Sequence, residues 1–274
     1  MRQKEQFFLD FGPMQIMMTA VFTKSGGQKI LLDAAEYAKE NLRQLAARKK
    51  IAACSQDQLI DINREPIVLQ KMAAAVIESG DTTLTPMAAV AGAIADSVAD
   101  FLQQAGALKV MVNNGGDIAV RLQSGEKIRV ALQTKAADTI LPQFEIFAKD
   151  GIGGIACSGL GGRSLSKGIA SAAMVTASSA ALADACATSL GNAVYTDHPN
   201  IRLALAEDLD PLTDIRGHYV VKETGLLPSE TITRALENGG KRAKEMMLKG
   251  VVSKAAAFIG RQGIFLPEKG FIVG

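Results

Sequence analysis

Asp184 and Thr188 stand one helical turn apart in residues 174–194, MVTASSAALADACATSLGNAV, where an extended, hydroxyl-rich apolar stretch runs into a helix. Residues four apart share a helix face, so a carboxylate and a hydroxyl can address one point. Their neighbours are almost all Ala, Ser or Leu. A carboxylate in such surroundings must find a hydrogen-bond donor or a metal, or stay in water. A hard cation such as Mg2+ takes carboxylate and neutral oxygen ligands and keeps several waters. The pair would serve one if backbone carbonyls or a ligand phosphate supplied the rest. A structural bond, with Asp184 capping neighbouring backbone, fits the same spacing and asks for less.

Asn113-Asn114-Gly115-Gly116-Asp117 lies between two apolar runs. Asn-Gly is a strong hairpin signal because both residues tolerate positive φ, so a tight turn explains most of it. Two asparagines before two glycines exceed what a two-residue hairpin requires. The surplus suggests glycine amides offered to an anionic or planar ligand, with the asparagines and Asp117 as polar anchors. Residues 157–168, CSGLGGRSLSKG, hold four glycines, three serines, an arginine and a lysine. Amides, hydroxyls and cations are what a phosphate or carboxylate group needs, although a flexible surface loop has the same composition. The chain has neither a Walker A motif nor a strand-GxGxxG-helix fingerprint. His198 and His218 are the two histidines, and no Ser/His/Asp set can be assembled around them.

The elements that must position these groups follow from periodicity and turn signals. Residues 15–23 read as a strand ended by Ser25-Gly26-Gly27, and a long amphipathic helix spans about 29–48. Residues 57–64 read as a loop and 66–79 as a helix ending near Gly80. Thr85-Pro86 opens the next helix, with Met87, Val90, Ile94, Val98 and Phe101 on its apolar face, Gly92 in its middle and Gly106 as its cap. Strands are expected at 109–113, 117–122, 127–132, 144–149, 151–157 and 169–177. A short helix near 199–207, a strand at 218–222, a polar helix at 230–249, a segment at 251–261 and a final short strand complete the chain. Runs of strands between runs of helices imply an α+β fold with a largely antiparallel sheet.

With 274 residues, 48% of them apolar and 21% charged, the chain can bury a full core as one domain, 1–274, or as two fused halves of about 1–150 and 151–274. Aromatics are 5% and Trp is absent, so close backbone approach should carry the packing. A net charge of +2 gives no field that argues for nucleic acid. No stretch approaches the roughly 18–20 apolar residues of a membrane span. The N-terminal apolar run is interrupted by Asp10, Gly12 and Pro13, unlike a signal peptide. Cys54, Cys157 and Cys186 are odd in number and far apart, as expected of reduced thiols in a cytoplasmic protein. Ala/Gly-rich helices suit subunit packing, so a homo-oligomer is expected.

Residues 85–97, 112–118, 154–166 and 177–188 together resemble the ApbE-like superfamily, which includes FAD:protein FMN transferases. The nearer resemblance is to a branch of uncharacterised relatives with PMAAVAGAIA, NGGDI, SLS followed by G, and SAALADA-AT, all present here. It implies an ApbE-like fold with a pocket between two α/β halves, and Mg2+ with FAD or FMN as cofactors. By that resemblance Asp184 and Thr188 would hold the metal and the NGGD turn would border the flavin. The chain departs from the transferase KGYAVD segment, here Ala91-Gly92-Ala93-Ile94-Ala95-Asp96, and lacks the segment carrying the HIIDP-type histidine. It departs from the branch's GHSLSFGKAD, here Gly162-Arg163-Ser164-Leu165-Ser166-Lys167-Gly168-Ile169-Ala170-Ser171. These departures argue against the transferases' own reaction.

The expected site therefore has a wall of Asn113, Asn114, Gly115, Gly116 and Asp117. Its anion clamp is Ser158, Gly159, Arg163, Ser164, Ser166 and Lys167, and Asp184 and Thr188 bind metal. Three readings stand: an enzyme taking a small anionic, flavin- or nucleotide-like molecule, a non-catalytic accessory protein of sulfur or cofactor metabolism, or a structural oligomer whose Ala/Gly-rich helices pack subunits together.

Overall fold

The computed structural model describes residues 2–131, 143–162 and 164–268. The chain opens with β1 (Gln3–Phe11), β2 (Met14–Phe22), α1 (Gly27–Ala47), α2 (Lys49–Ala52), α3 (Ile67–Ser79) and α4 (Val90–Gln104). It continues through β3 (Lys109–Asn114), β4 (Asp117–Leu122), β5 (Lys127–Ala131), β6 (Gln143–Phe147), β7 (Gly154–Ser158), β8 (Ala172–Ala177) and α5 (Ala180–Ala193). It closes with β9 (Ile201–Leu205), α6 (Ala206–Leu209), β10 (Tyr219–Thr224), α7 (Ser229–Leu248), β11 (Lys254–Ile259) and β12 (Gln262–Leu266). The fold is α+β with antiparallel pairing dominant.

Two compact units share this chain, and a single cut near residue 150 does not separate them. The first comprises Met1–Arg129, Glu145–Ala156 and Thr176–Ala185; the second comprises Val130–Phe144, Cys157–Val175 and Cys186–Gly274. In the first unit the strand order is β1-β2-β3-β4-β7. Alternation along β2 and β3 turns Ile16, Met18, Ala20, Val110 and Val112 inward, all essentially unexposed. Leu31, Leu69, Met72, Ile94 and Leu102 from α1, α3 and α4 pack on that face. In the second unit the order is β8-β11-β12, with α7 laid on β11 and β12.

Two readings need correction, and one strand is added. Residues 3–11 form a strand that the sequence reading did not name, with Gly12, at φ 57°, and Pro13 making the β1–β2 hairpin turn. The helix after Thr85 begins as a 3-10 turn, Pro86–Ala89, and becomes α-helical at Val90. The face expected of it does enter the core, with Ile94 and Val98 buried in it and Met87, Val90 and Phe101 packed against it, but burial goes further: residues 92–99 are all buried. Residues 201–205 are a strand instead of a helix, paired with β10; the helix there shrinks to α6. Pro199 resembled a helix start, but a partner strand fourteen or more residues on (Leu205 opposite Tyr219) overrode the local preference.

Candidate functional site

Helices α4 and α5 cap each other. The first-turn amides of a helix lack partners within it, and here each helix supplies the other's acceptor. Asp184 Oδ2 of α5 accepts the Gly92 N–H of α4 at 3.0 Å, and the Ala91 N–H acts on the same carboxylate. In return, Asp96 of α4 accepts the Ala180 N–H at 3.0 Å and the Ala181 N–H at 2.8 Å. Ser179 Oγ takes the Leu182 N–H at 3.2 Å. The amides at the start of α5 are thus engaged, and a ligand anion has none of these three to claim.

The crossing is close enough to require glycine. A Cβ on Gly92 would lie 2.5 Å from the Ala180 carbonyl carbon and 2.8 Å from the Ala181 nitrogen. One on Gly154 would collide with the Ala180 backbone, and one on Gly153 would come within 3.0 Å of the Ser178 carbonyl carbon. Asp96 is 1% exposed and pairs with Arg121 Nη2 at 2.8 Å, while Arg121 Nε reaches Asp100 at 2.7 Å. Lys71 also holds Asp100, at 2.9 Å. Burial works to pull the Arg121 guanidinium down, and the two aspartates outweigh it and hold it charged.

Asn114 is placed by alternation. It faces inward at the end of β3, directly opposite Asp117 on β4, so the two side chains share a face. Asn114 Nδ2 donates to the Ala91 carbonyl at 3.1 Å, which brings this hairpin end to the start of α4. Gly115 and Gly116 make the turn, at φ 69° and 119°, while both asparagines remain on the strand. Asn113 Oδ1 accepts the Gly116 N–H at 2.9 Å, and the Gly115 N–H goes to the Gln15 carbonyl. The surplus asparagine therefore braces the turn, and both glycine amides are already engaged.

Asn114, Asp117 and Asp184 thus gather around the first turn of α4. Burial pushes the Asp184 carboxyl well above the ordinary carboxylate range, and the Asp117 charge pushes it further. The Gly92 and Ala91 amides pull the other way, and Asp96 adds a smaller upward push. From Ala180 through Asn192, α5 is buried except at Asp184, Thr188 and Asn192, which are half-buried. Their spacing of four makes one polar stripe.

The glycine loop belongs to the second unit. Ser166 is buried, its hydroxyl donating to the Gly168 carbonyl at 3.0 Å and accepting the Gly168 N–H at 3.2 Å. Its side chain thus closes a local turn. The Lys167 N–H donates to Asn192 Oδ1 at 3.0 Å, and a Cβ on Gly168 would meet the carbonyls of Val194 and Asn192 at 2.9 and 3.0 Å. Leu160, Gly161, Gly162 and Ser164 are exposed, Ser158 is half-buried and Gly159 is buried. Arg163 lies outside the described residues. Among the described residues there is no group of three or more His, Cys, Asp or Glu that could hold a metal ion, and no helix is long and apolar enough to cross a membrane.

Sequence reasoning missed Asp96, Arg121, Gly153, Gly154 and Ser179 as supports of this arrangement. One signal was present: Gly92-Ala-Ile-Ala-Asp96 and Ala180-Ala-Leu-Ala-Asp184 repeat one pattern, a small residue four places before an aspartate.

The family model described as AbpE bacteria matches residues 1–265. A UPF0280 protein of Methanothrix thermoacetophila is 39% identical over 140 residues, covering 50% of this chain and 56% of that protein. One from Archaeoglobus fulgidus is 40% identical over 160 residues, covering 56% and 66%. The matched region spans less than two thirds of either relative. Among solved structures, the apo flavinyl transferase ApbE of Pseudomonas stutzeri superposes with a TM-score of 0.56 at 14% identity, covering 96% of this chain and 94% of that one. The chain has the ApbE-like fold and belongs to the ApbE-like family described as AbpE bacteria, alongside the UPF0280 proteins.

Proposed function

We propose that Asp184, with Asp117 beside it, holds a divalent cation through which the protein binds a small phosphate-bearing molecule of flavin or nucleotide type. The observation that carries this reading is the meeting of two acids at the start of α4, one of them desolvated and repelled by the other. The cations nearest in the network, Arg121 and Lys71, are engaged by Asp96 and Asp100. A like-charged pair in a desolvated place favours either a proton or a metal ion.

The donor set suits Mg2+: hard carboxylate oxygens, with the Thr188 hydroxyl one turn along the same helix, leaving other positions for water and ligand oxygens. Mg2+ bound there would neutralise and orient phosphate oxygens. Asp184 would keep two roles at once, accepting the Gly92 amide at Oδ2 while its carboxylate also serves the ion. Asn114 holds the hairpin end against Ala91 so that Asp117 stays in place.

Thermal unfolding with Mg2+ and FAD, FMN or ADP tests the reading. Wild type should be stabilised by Mg2+ and ligand together, and Asp184→Ala should lose that shift. Equal shifts in both proteins would defeat it. A non-catalytic binding role is the second reading, favoured by Ala91, whose carbonyl and amide serve structure where the transferase pattern carries a lysine. Ligand held without turnover of FAD would select it.

A further inference from the structure

We propose that β1 is a dimerisation edge, pairing antiparallel with β1 of a second copy of this chain across a two-fold axis at Phe7. This inference does not depend on the ligand reading above. β1 is the terminal strand of its sheet, nine residues long and regularly paired on one side along its whole length. Among the described residues no element pairs with its other side.

The direction of its free backbone groups follows from the neighbouring strand. The Val21 and Gln15 carbonyls of β2 accept the Leu108 and Gly115 amides on the β3 side. Odd residues of β2 therefore bond toward β3, and even ones toward β1. The partners of those even residues are Gln3, Glu5, Phe7, Leu9 and Phe11. Lys4, Gln6, Phe8 and Asp10 thus turn their N–H and C=O groups outward along the edge, and all four are exposed.

Laying β1 against itself over its full length sets one register. Phe7 meets Phe7 of the second copy at the axis, Gln6 meets Phe8, and Lys4 meets Asp10. The outward-bonding residues then face outward-bonding residues, giving about eight hydrogen bonds between the strands. Lys4 and Asp10 form two symmetry-related pairs of opposite charge on one face. The two Phe8 rings, 53% exposed in one copy, become diagonal neighbours within aromatic reach. A nine-residue open edge is ordinarily blunted by a bulge, a mid-strand proline or repelling charges; this one has no bulge against β2, no proline, and charges that complement themselves.

The test is sedimentation equilibrium of the full chain with charge-swapped variants, circular dichroism confirming that each is folded. Wild type should be dimeric at micromolar concentration. Lys4→Asp and Asp10→Lys should each weaken the dimer about tenfold or more, since each puts like charges opposite one another twice. The double variant, Lys4→Asp with Asp10→Lys, should restore it. A monomeric wild type, a dimer indifferent to the single reversals, or a double variant weaker than both singles would overturn the proposal. Phe7→Cys supplies a second readout. Oxidation should link two copies through this residue, and a protein that is dimeric yet never cross-links there would overturn the register.

Discussion

Replacing Gly92 with alanine sets two physical effects against each other, and the structure decides the sign. In an isolated helix the change is favourable, because alanine exceeds glycine by about 0.8–1.0 kcal/mol in helix propensity. In this protein the new methyl group would stand 2.5 Å from the Ala180 carbonyl carbon and 2.8 Å from the Ala181 nitrogen. Both are backbone atoms, so no side chain can rotate away, and the helices must part. Overpacking of this kind costs about 1–3 kcal/mol. Separation also strains the caps that Asp96 and Asp184 provide, the charge-assisted bonds to Asp96 worth about 1.5–3 kcal/mol each. The net expectation is a loss of about 2–5 kcal/mol, against the gain that propensity alone would give. Urea denaturation read by circular dichroism measures it, with Gly240→Ala as the control. Gly240 is also helical, and its added Cβ would meet a flexible Ile264 methyl at 3.4 Å, so that variant should gain up to about 1 kcal/mol. A neutral or stabilised Gly92→Ala protein would refute the reciprocal cap as the lock between α4 and α5.

The same geometry makes further predictions. Native burial and Asp117 hold the Asp184 carboxyl above its ordinary value of 3.8, so the folded protein binds that proton more tightly than the unfolded chain. Its contribution is therefore full at low pH and is lost as pH rises through the native value. In metal-free buffer Asp184→Asn should gain in urea midpoint relative to wild type as pH rises from about 4 to about 8; a gap that stays constant would contradict this. Asp96→Ala leaves Arg121 partly uncompensated and uncaps α5, so a loss of about 3–5 kcal/mol is expected in the same assay. Ser179→Ala removes one cap acceptor and should cost about 1 kcal/mol; a much larger loss would show that Ser179 holds more than the Leu182 amide.

Much of the architecture was legible from local chemistry. Gly80 and Gly106 marked helix ends, and both sit at positive φ. Apolar runs separated by a glycine-containing turn located β3 and β4 to within a residue. The Asn-Asn-Gly-Gly-Asp motif was read correctly as a turn, although the turning residues are the two glycines. The error at residues 201–205 fell where a distant partner prevailed: β9 needs β10 to be a strand.

The sequence by itself determined most of the segments that coil, extend or turn, because those choices depend largely on side chains within a few residues of one another; β9, set by its pairing with β10, is the exception. It also placed Asp184 and Thr188 on one helix face, by spacing alone. Only the tertiary structure decided that Asp184 caps α4 while Asp96 caps α5, and that Asn114 ties the hairpin to Ala91. Those bonds join residues 92 and 84 positions apart for the two caps and 23 for the asparagine. The end amides of a helix demand an acceptor, but nothing local says which acceptor. That is settled when small residues let two backbones approach closely enough for one helix's carboxylate to reach the other's first turn.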